Sequence, residues 1–172
     1  MGINIRAKGQ VGEREIADDL NAIITVVRAQ LGLPALTKPQ VQRNQQQSAV
    51  GGCDLVGTYG FAIEVKRQET LSINSWWAQC LASAKALNGI PVLLFRQNAK
   101  PGQRTKWRCI TVAEFQGATA QSYFPFRVEL DYDDFKEWFR WHVRANLRAE
   151  HPELDTRNPA VPLPPVQFAM GG

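Results

Sequence analysis

The chain has 172 residues, the size of one ordinary domain, with 44% hydrophobic and 21% charged residues, so it can bury a core without disulfides or a structural metal. No apolar run approaches membrane-spanning length and Met1 to Gln10 holds no signal-peptide stretch, so no membrane contact is expected and the expected location is cytoplasmic. The net charge of +4 is uneven: Met1 to Ile110 carries 14 Lys and Arg against 7 Asp and Glu, whereas Thr111 to Gly172 carries 6 against 9, an asymmetry that suggests a polyanionic partner for the first part.

Gly12 to Leu31 places Ile16, Ala17, Leu20, Ile23, Ile24, Val27 and Leu31 on one helical stripe. Glu13 falls near the middle of that stripe, while Arg14, Glu15, Asp18 and Asp19 lie outside it. Two prolines between Gly32 and Pro39 end the helix. Val41 to Gly52, "VQRNQQQSAVGG", reads as a strand start followed by a mobile polar loop. "CDLVG" and "FAIEVKR" are two short strands joined by "GTYG", an expected antiparallel hairpin that sets Asp54 beside Glu64. Ser72 to Leu87 is a second helix, capped by Ser72 or Asn74, with Ile73, Trp76, Trp77, Cys80, Leu81, Ala84 and Leu87 on its apolar face and Asn88-Gly89 as its stop. "PVLLFR" (Pro91 to Arg96) and "KWRCITV" (Lys106 to Val112) are buried strands flanking a basic loop. A third helix runs from about Asp131 to Ala149, with Phe135, Trp138, Phe139, His142 and Val143 suited to packing. From Thr156 the chain is proline-rich and reads as an extended arm.

The chemistry concentrates in a few residues. Cys53, Cys80 and Cys109 lack any C-x-x-C spacing and read as free buried thiols; His142 and His151 are too few and too far apart for a zinc site. In "FAIEVKR", alternation puts Ala62, Glu64 and Lys66 on one face of a strand whose other face is Phe61, Ile63 and Val65. On that strand alone, Glu64 and Lys66 read as a solvated ion pair on an exposed outer face. With the order αβββαβ, however, Glu13, Asp54 and Glu64 become neighbours with Lys66 beside them. Hard divalent cations need such oxygen ligands, Mg²⁺ being held by one or two carboxylates, and a nearby lysine can orient a water for phosphodiester hydrolysis.

The series "KGQVGERE" (Lys8, Gly9, Glu13, Arg14, Glu15), "RNQQQS" (Arg43, Ser48), "GGCDL" (Asp54) and "EVK" (Glu64, Lys66) resembles the PD-(D/E)XK nuclease superfamily, and within it the archaeal-type Holliday junction resolvases. Gly52-Cys53 departs from the Pro-x that often precedes the aspartate. The resemblance implies an α/β, restriction-endonuclease-like αβββαβ core with a mixed central sheet flanked by helices; it covers about the first two thirds of the chain and leaves the segment after Val112, the C-terminal helix and extended tail, unexplained. Residues 1–112 would be the nuclease core, 113–155 an extension whose helix packs on it, and 156–172 the tail.

The same resemblance implies a Mg²⁺-dependent endonuclease, with Mn²⁺ able to substitute, acting as a homodimer on branched four-way DNA. Asp54, Glu64 and the Val65 carbonyl would hold the metal, Glu13 would reach it directly or through water, and Lys66 would position the attacking water. Arg6, Lys8, Arg43, Ser48 and Arg67, with Lys100, Arg104 and Lys106 of the basic loop, would contact DNA, and Gln79 is a candidate accessory residue. Other expectations stay open: a restriction-like or recombination-associated nuclease on duplex or single-stranded DNA, and a non-catalytic DNA-binding or assembly protein.

Overall fold

The computed structural model describes residues 5–45, 52–98, 105–116 and 123–154. Their order is α1 (Ile5–Gln30), β1 (Gln42–Arg43), β2 (Leu55–Val56), β3 (Phe61–Gln68), α2 (Ile73–Leu87), β4 (Ile90–Gln97), β5 (Arg108–Gln116), β6 (Tyr123–Asp131) and α3 (Tyr132–Glu150). The tail from Thr156 and most of the polar loop lie outside the described residues.

A mixed four-stranded sheet, ordered β3-β4-β5-β6, forms the middle layer. β3 runs parallel to β4, Phe61 beside Ile90 and Gln68 beside Gln97, because α2 carries the chain back between them; β5 and β6 follow antiparallel. α1 and α3 cover one face. Their stripes (Ile16, Leu20, Ile24 and Val27; Phe135, Phe139, Val143 and Leu147) close over Phe61, Ile63, Val65, Val92 and Leu94, all buried. On the other face Trp76, Trp77 and Cys80 of α2 pack on Leu93, Phe95 and Ile110. β5 runs through residue 112 without a break, and α3 is buried in the same core as β3.

Several expectations change in detail. α1 begins earlier than Gly12. Leu81 and Leu87 of α2 are exposed rather than packed, because the stripe on the sheet passes through Trp76, Trp77, Cys80, Ser83 and Ala84. Ser72 stands at the N-cap of α2 without a side-chain cap bond, and Asn88 ends the helix in the left-handed region. β2 does not form a ladder with β3; it pairs antiparallel with β1, Gln42 opposite Val56 and Arg43 opposite Leu55. The chain nonetheless reverses between β2 and β3, since Phe61 N–H bonds the Thr58 carbonyl and Asp54 N–H donates to the Ile63 carbonyl at 2.9 Å.

That reversal depends on Gly57, whose φ of +76° suits glycine and whose absent Cβ would stand 2.0 Å from the Gln40 carbonyl oxygen. Gly57→Ala must therefore displace backbone, and a loss of at least about 2 kcal/mol is expected in urea unfolding, against a smaller loss of about 1 kcal/mol for Gly32→Ala, where φ is +70° but the space is open.

Candidate active site

The site forms where β3 is an edge of the sheet. Side chains at 61, 63 and 65 face α1 and α3, and those at 62, 64 and 66 face α2, where Ala62 touches Cys53 and Ala84. Glu64 is therefore not on a solvated face: the residue is 3% exposed. Its Oε1 accepts from Lys66 Nζ, a pair whose side chains are mostly covered. Its Oε2 is buried with no hydrogen-bond partner among the described residues.

Asp54, also buried, enters from the segment before β2. Its Oδ2 accepts the Val65 N–H at 2.6 Å. The N–H and C=O of one strand residue point the same way, so the Val65 carbonyl lies on this edge too. Asn44 secures the approach, its N–H donating to the Asp54 carbonyl at 2.8 Å and its Nδ2 to the Cys53 carbonyl at 3.0 Å.

Burial, then the Asp54 charge, pushes the Glu64 carboxyl above its ordinary value of 4.5, with Lys66 opposing and Glu13 adding to the rise. Glu13 itself is ion-paired with Arg43, Nε to Oε2 at 2.5 Å. The cation that a carboxylate on an apolar stripe requires is thus supplied by β1. Among the described residues no group of three or more Asp, Glu, His or Cys is arranged to hold a metal; the oxygen atoms that come together on this edge are those of the Asp54–Glu64 pair and the neighbouring backbone. An all-oxygen set with one buried carboxylate oxygen lacking a partner fits a hard divalent cation that keeps several waters.

The remaining sequence candidates are scattered. Arg67 is half-buried, its Nε bonded to Asn98 Oδ1 at 3.1 Å. Lys106 lines an acidic hollow with Glu15, Asp19 and Asp133. Gln79 is exposed on α2, and no hydrogen bond joins it to Asp54, Glu64 or Lys66 among the described residues. Ser48, Lys100 and Arg104 lie outside the described residues, as do the side chains of Arg6 and Lys8. The thiols of Cys53, Cys80 and Cys109 are free and buried.

Sequence reasoning gave Arg96 and Trp107 no role and Glu15 only a place in the motif series; together the three anchor α1 at this end of the sheet. Arg96 grips Glu15 with two bonds of 2.8 and 2.9 Å, Trp107 Nε1 donates to Glu15 Oε1 at 2.9 Å, and Arg96 lies over the indole at 4.5 Å. The same indole fits against Gly12, where a Cβ would meet it at 3.1 Å. Glu13 is the next residue, so this anchor sets its height over β3. An arginine closing an otherwise apolar strand was the available signal.

A mixed α/β framework with an Asp–Glu pair and a lysine on one strand edge is consistent with a PD-(D/E)XK-type nuclease. The model of a family described as "Phage putative PDDEXK endonuclease" matches residues 4–111, and the chain belongs to that family. No curated protein and no solved structure matches the chain. No helix among the described residues is long and apolar enough to cross a membrane.

The raised Glu64 carboxyl has a pH consequence. The folded state holds this proton more tightly than the unfolded chain, so without metal the contribution is favourable at low pH and is lost as pH rises from about 4.5 through the raised value. Glu64→Gln should remove that fall and raise the metal-free melting temperature at pH 7 by a few degrees, checked by thermal unfolding between pH 4 and 8.

Proposed function

We propose that the chain is a metal-dependent DNA endonuclease that hydrolyses phosphodiester bonds, and that its substrate is branched DNA of the four-way-junction kind. The observation that carries the hydrolytic reading is the buried, unpartnered Glu64 Oε2 beside Asp54 and Lys66, in a chain that belongs to an endonuclease family. The junction reading is supported by the series Lys8, Gly9, Glu13, Arg14, Glu15, Arg43, Asp54, Glu64 and Lys66.

Asp54, Glu64 and the Val65 carbonyl would hold the ion, Mg²⁺ with Mn²⁺ as substitute. A divalent ion there supplies Lewis-acid polarisation of a phosphoryl oxygen and neutralises the charge that develops on it. Lys66, on the same strand face as Glu64, orients the attacking water and adds positive charge where the transition state becomes more anionic. Glu13 contributes directly or through water once Arg43 turns to a phosphate, and Arg67 and the basic loop add backbone contacts that read shape rather than base sequence. Two such chains, related as a homodimer, would cut strands of opposite polarity.

Cleavage of a four-way junction, a matched duplex and a single strand of the same sequences, with Mg²⁺, Mn²⁺ or chelator, tests this. Junction cleavage that needs metal and exceeds duplex cleavage is expected. Asp54→Asn and Glu64→Gln should each lower it at least about 100-fold with DNA binding retained, and Lys66→Ala should lower the rate with metal affinity little changed. Preference for duplex or single strands would move the substrate to a restriction-like or recombination-associated activity. Absent cleavage would leave a DNA-binding role, and metal-independent cleavage would overturn the metal-dependent reading.

A further inference from the structure

β6 is the other edge of the sheet, and its outward hydrogen-bonding groups can be assigned by following the ladders. Asp54 N–H bonds the Ile63 carbonyl, so odd residues of β3 face away from β4. Ile90 N–H bonds the Gly60 carbonyl and Asn98 N–H the Gln68 carbonyl, so even residues of β4 face β3 and odd ones face β5. With Leu93 opposite Ile110, and Thr111 opposite Val128, the even residues of β6 face β5. Tyr123, Pro125, Arg127, Glu129 and Asp131 then direct their backbone groups to the open side. Pro125 costs no ladder bond there.

We infer that this edge pairs with the β6 edge of a second copy of the chain, antiparallel about a two-fold axis at Val128. In that register Arg127 faces Glu129 of the second copy and Glu129 faces its Arg127, each exchanging N–H···O=C bonds through the outward groups. Phe126, 51% exposed, meets Leu130 of the second copy, and Val128 meets Val128. Three neighbouring registers fail on sign: an axis at Arg127 sets Arg127 against itself, an axis at Glu129 sets Glu129 against itself, and an axis at Leu130 sets Glu129 against Asp131; an axis at Phe126 faces Arg127 with Pro125 and so forms no opposite-charge pair.

Charges and proline on an edge often serve to prevent pairing. Here the opposite signs stand two residues apart, which penalises those registers and favours the one about Val128. Within one chain Arg127 donates to Asn74 Oδ1 of α2 and Glu129 pairs with Arg108 of β5, both exposed contacts that the facing charges of the second copy would share or replace. The two four-stranded sheets would join into one of eight strands. The β3 edges would then lie at its far ends, roughly 34 Å apart at about 4.8 Å per strand, both open to substrate. The homodimer belongs to the nuclease reading above and this inference assigns its interface; the test measures no cleavage, so its failure leaves the reading of the Asp54–Glu64 site untouched.

Sedimentation of the full chain across a dilution series should show a reversible monomer–dimer equilibrium. Arg127→Glu and Glu129→Arg each replace two attractive pairs by two repulsive ones, and each should weaken association at least about tenfold; the double exchange should restore it to within about threefold. Amide exchange guards against misfolded variants. In the wild-type chain the Arg127 and Glu129 amides should gain protection with concentration, while those of Val128 and Leu130, bonded to β5, stay protected throughout. A chain that remains monomeric at every concentration, or a dimer indifferent to both single exchanges, would overturn the inference.

Discussion

An edge strand leaves backbone groups that something must satisfy, and on β3 that something is Asp54. Its N–H takes the Ile63 carbonyl and its carboxylate takes the Val65 N–H, so one residue covers two successive outward groups of the strand. A buried bond to a charged acceptor contributes about 1.5–3 kcal/mol, and the same bond sets the second carboxylate oxygen of Asp54 on the edge shared with Glu64 and the Val65 carbonyl. If Asp54 holds the proposed ion, structural satisfaction and ligand placement are one event. Gly57 and the paired β1 and β2 hold Asp54 there, and the Glu15–Arg96–Trp107 anchor brings α1 to the same end.

The charges at this end are not balanced by burial alone. Glu64 has Lys66 on one oxygen and nothing among the described residues on the other, while Glu13 has Arg43. Leaving one buried carboxylate oxygen without a donor costs stability that an apolar core position would not. Arg43 is the more accessible partner, its side chain 24% exposed on a two-residue strand, and in the proposed reading it would exchange the carboxylate for a phosphate. That would couple arrival of a polyanion to release of Glu13.

Much of this was legible in the residues. The stripe of α1, the apolar runs of β4 and β5 and the amphipathic α3 declare themselves by period, because burial on one face leaves no other pattern. The site was legible as a series of residue types in order, since Asp54, Glu64 and Lys66 lie within thirteen consecutive residues. What periodicity could not convey was depth. Glu64 and Lys66 share a face with Ala62, and only the packing of Cys53, Cys80 and Ala84 over that face makes it an interior one. The partner of β2 was misjudged because a short turn between strands usually makes a hairpin, whereas here the Asp54 side chain takes the place of a ladder. β6 was missed although Phe126, Val128 and Leu130 alternate with Arg127, Glu129 and Asp131; Pro125 within the run obscured it. Arg96 and Trp107 acquire their role from contacts over eighty residues away in sequence, which no local pattern records.

Hydrolysis at this edge requires that Asp54 and Glu64 form a cation site. Calorimetric titration of the metal-free chain with Mn²⁺ measures this without reference to any substrate. One ion per chain is expected, with affinity lowered at least about tenfold in Asp54→Asn and in Glu64→Gln, since each removes one of the two ligand charges. A wild-type chain that binds no divalent ion, or variants that bind it as the wild type does, would contradict the assignment.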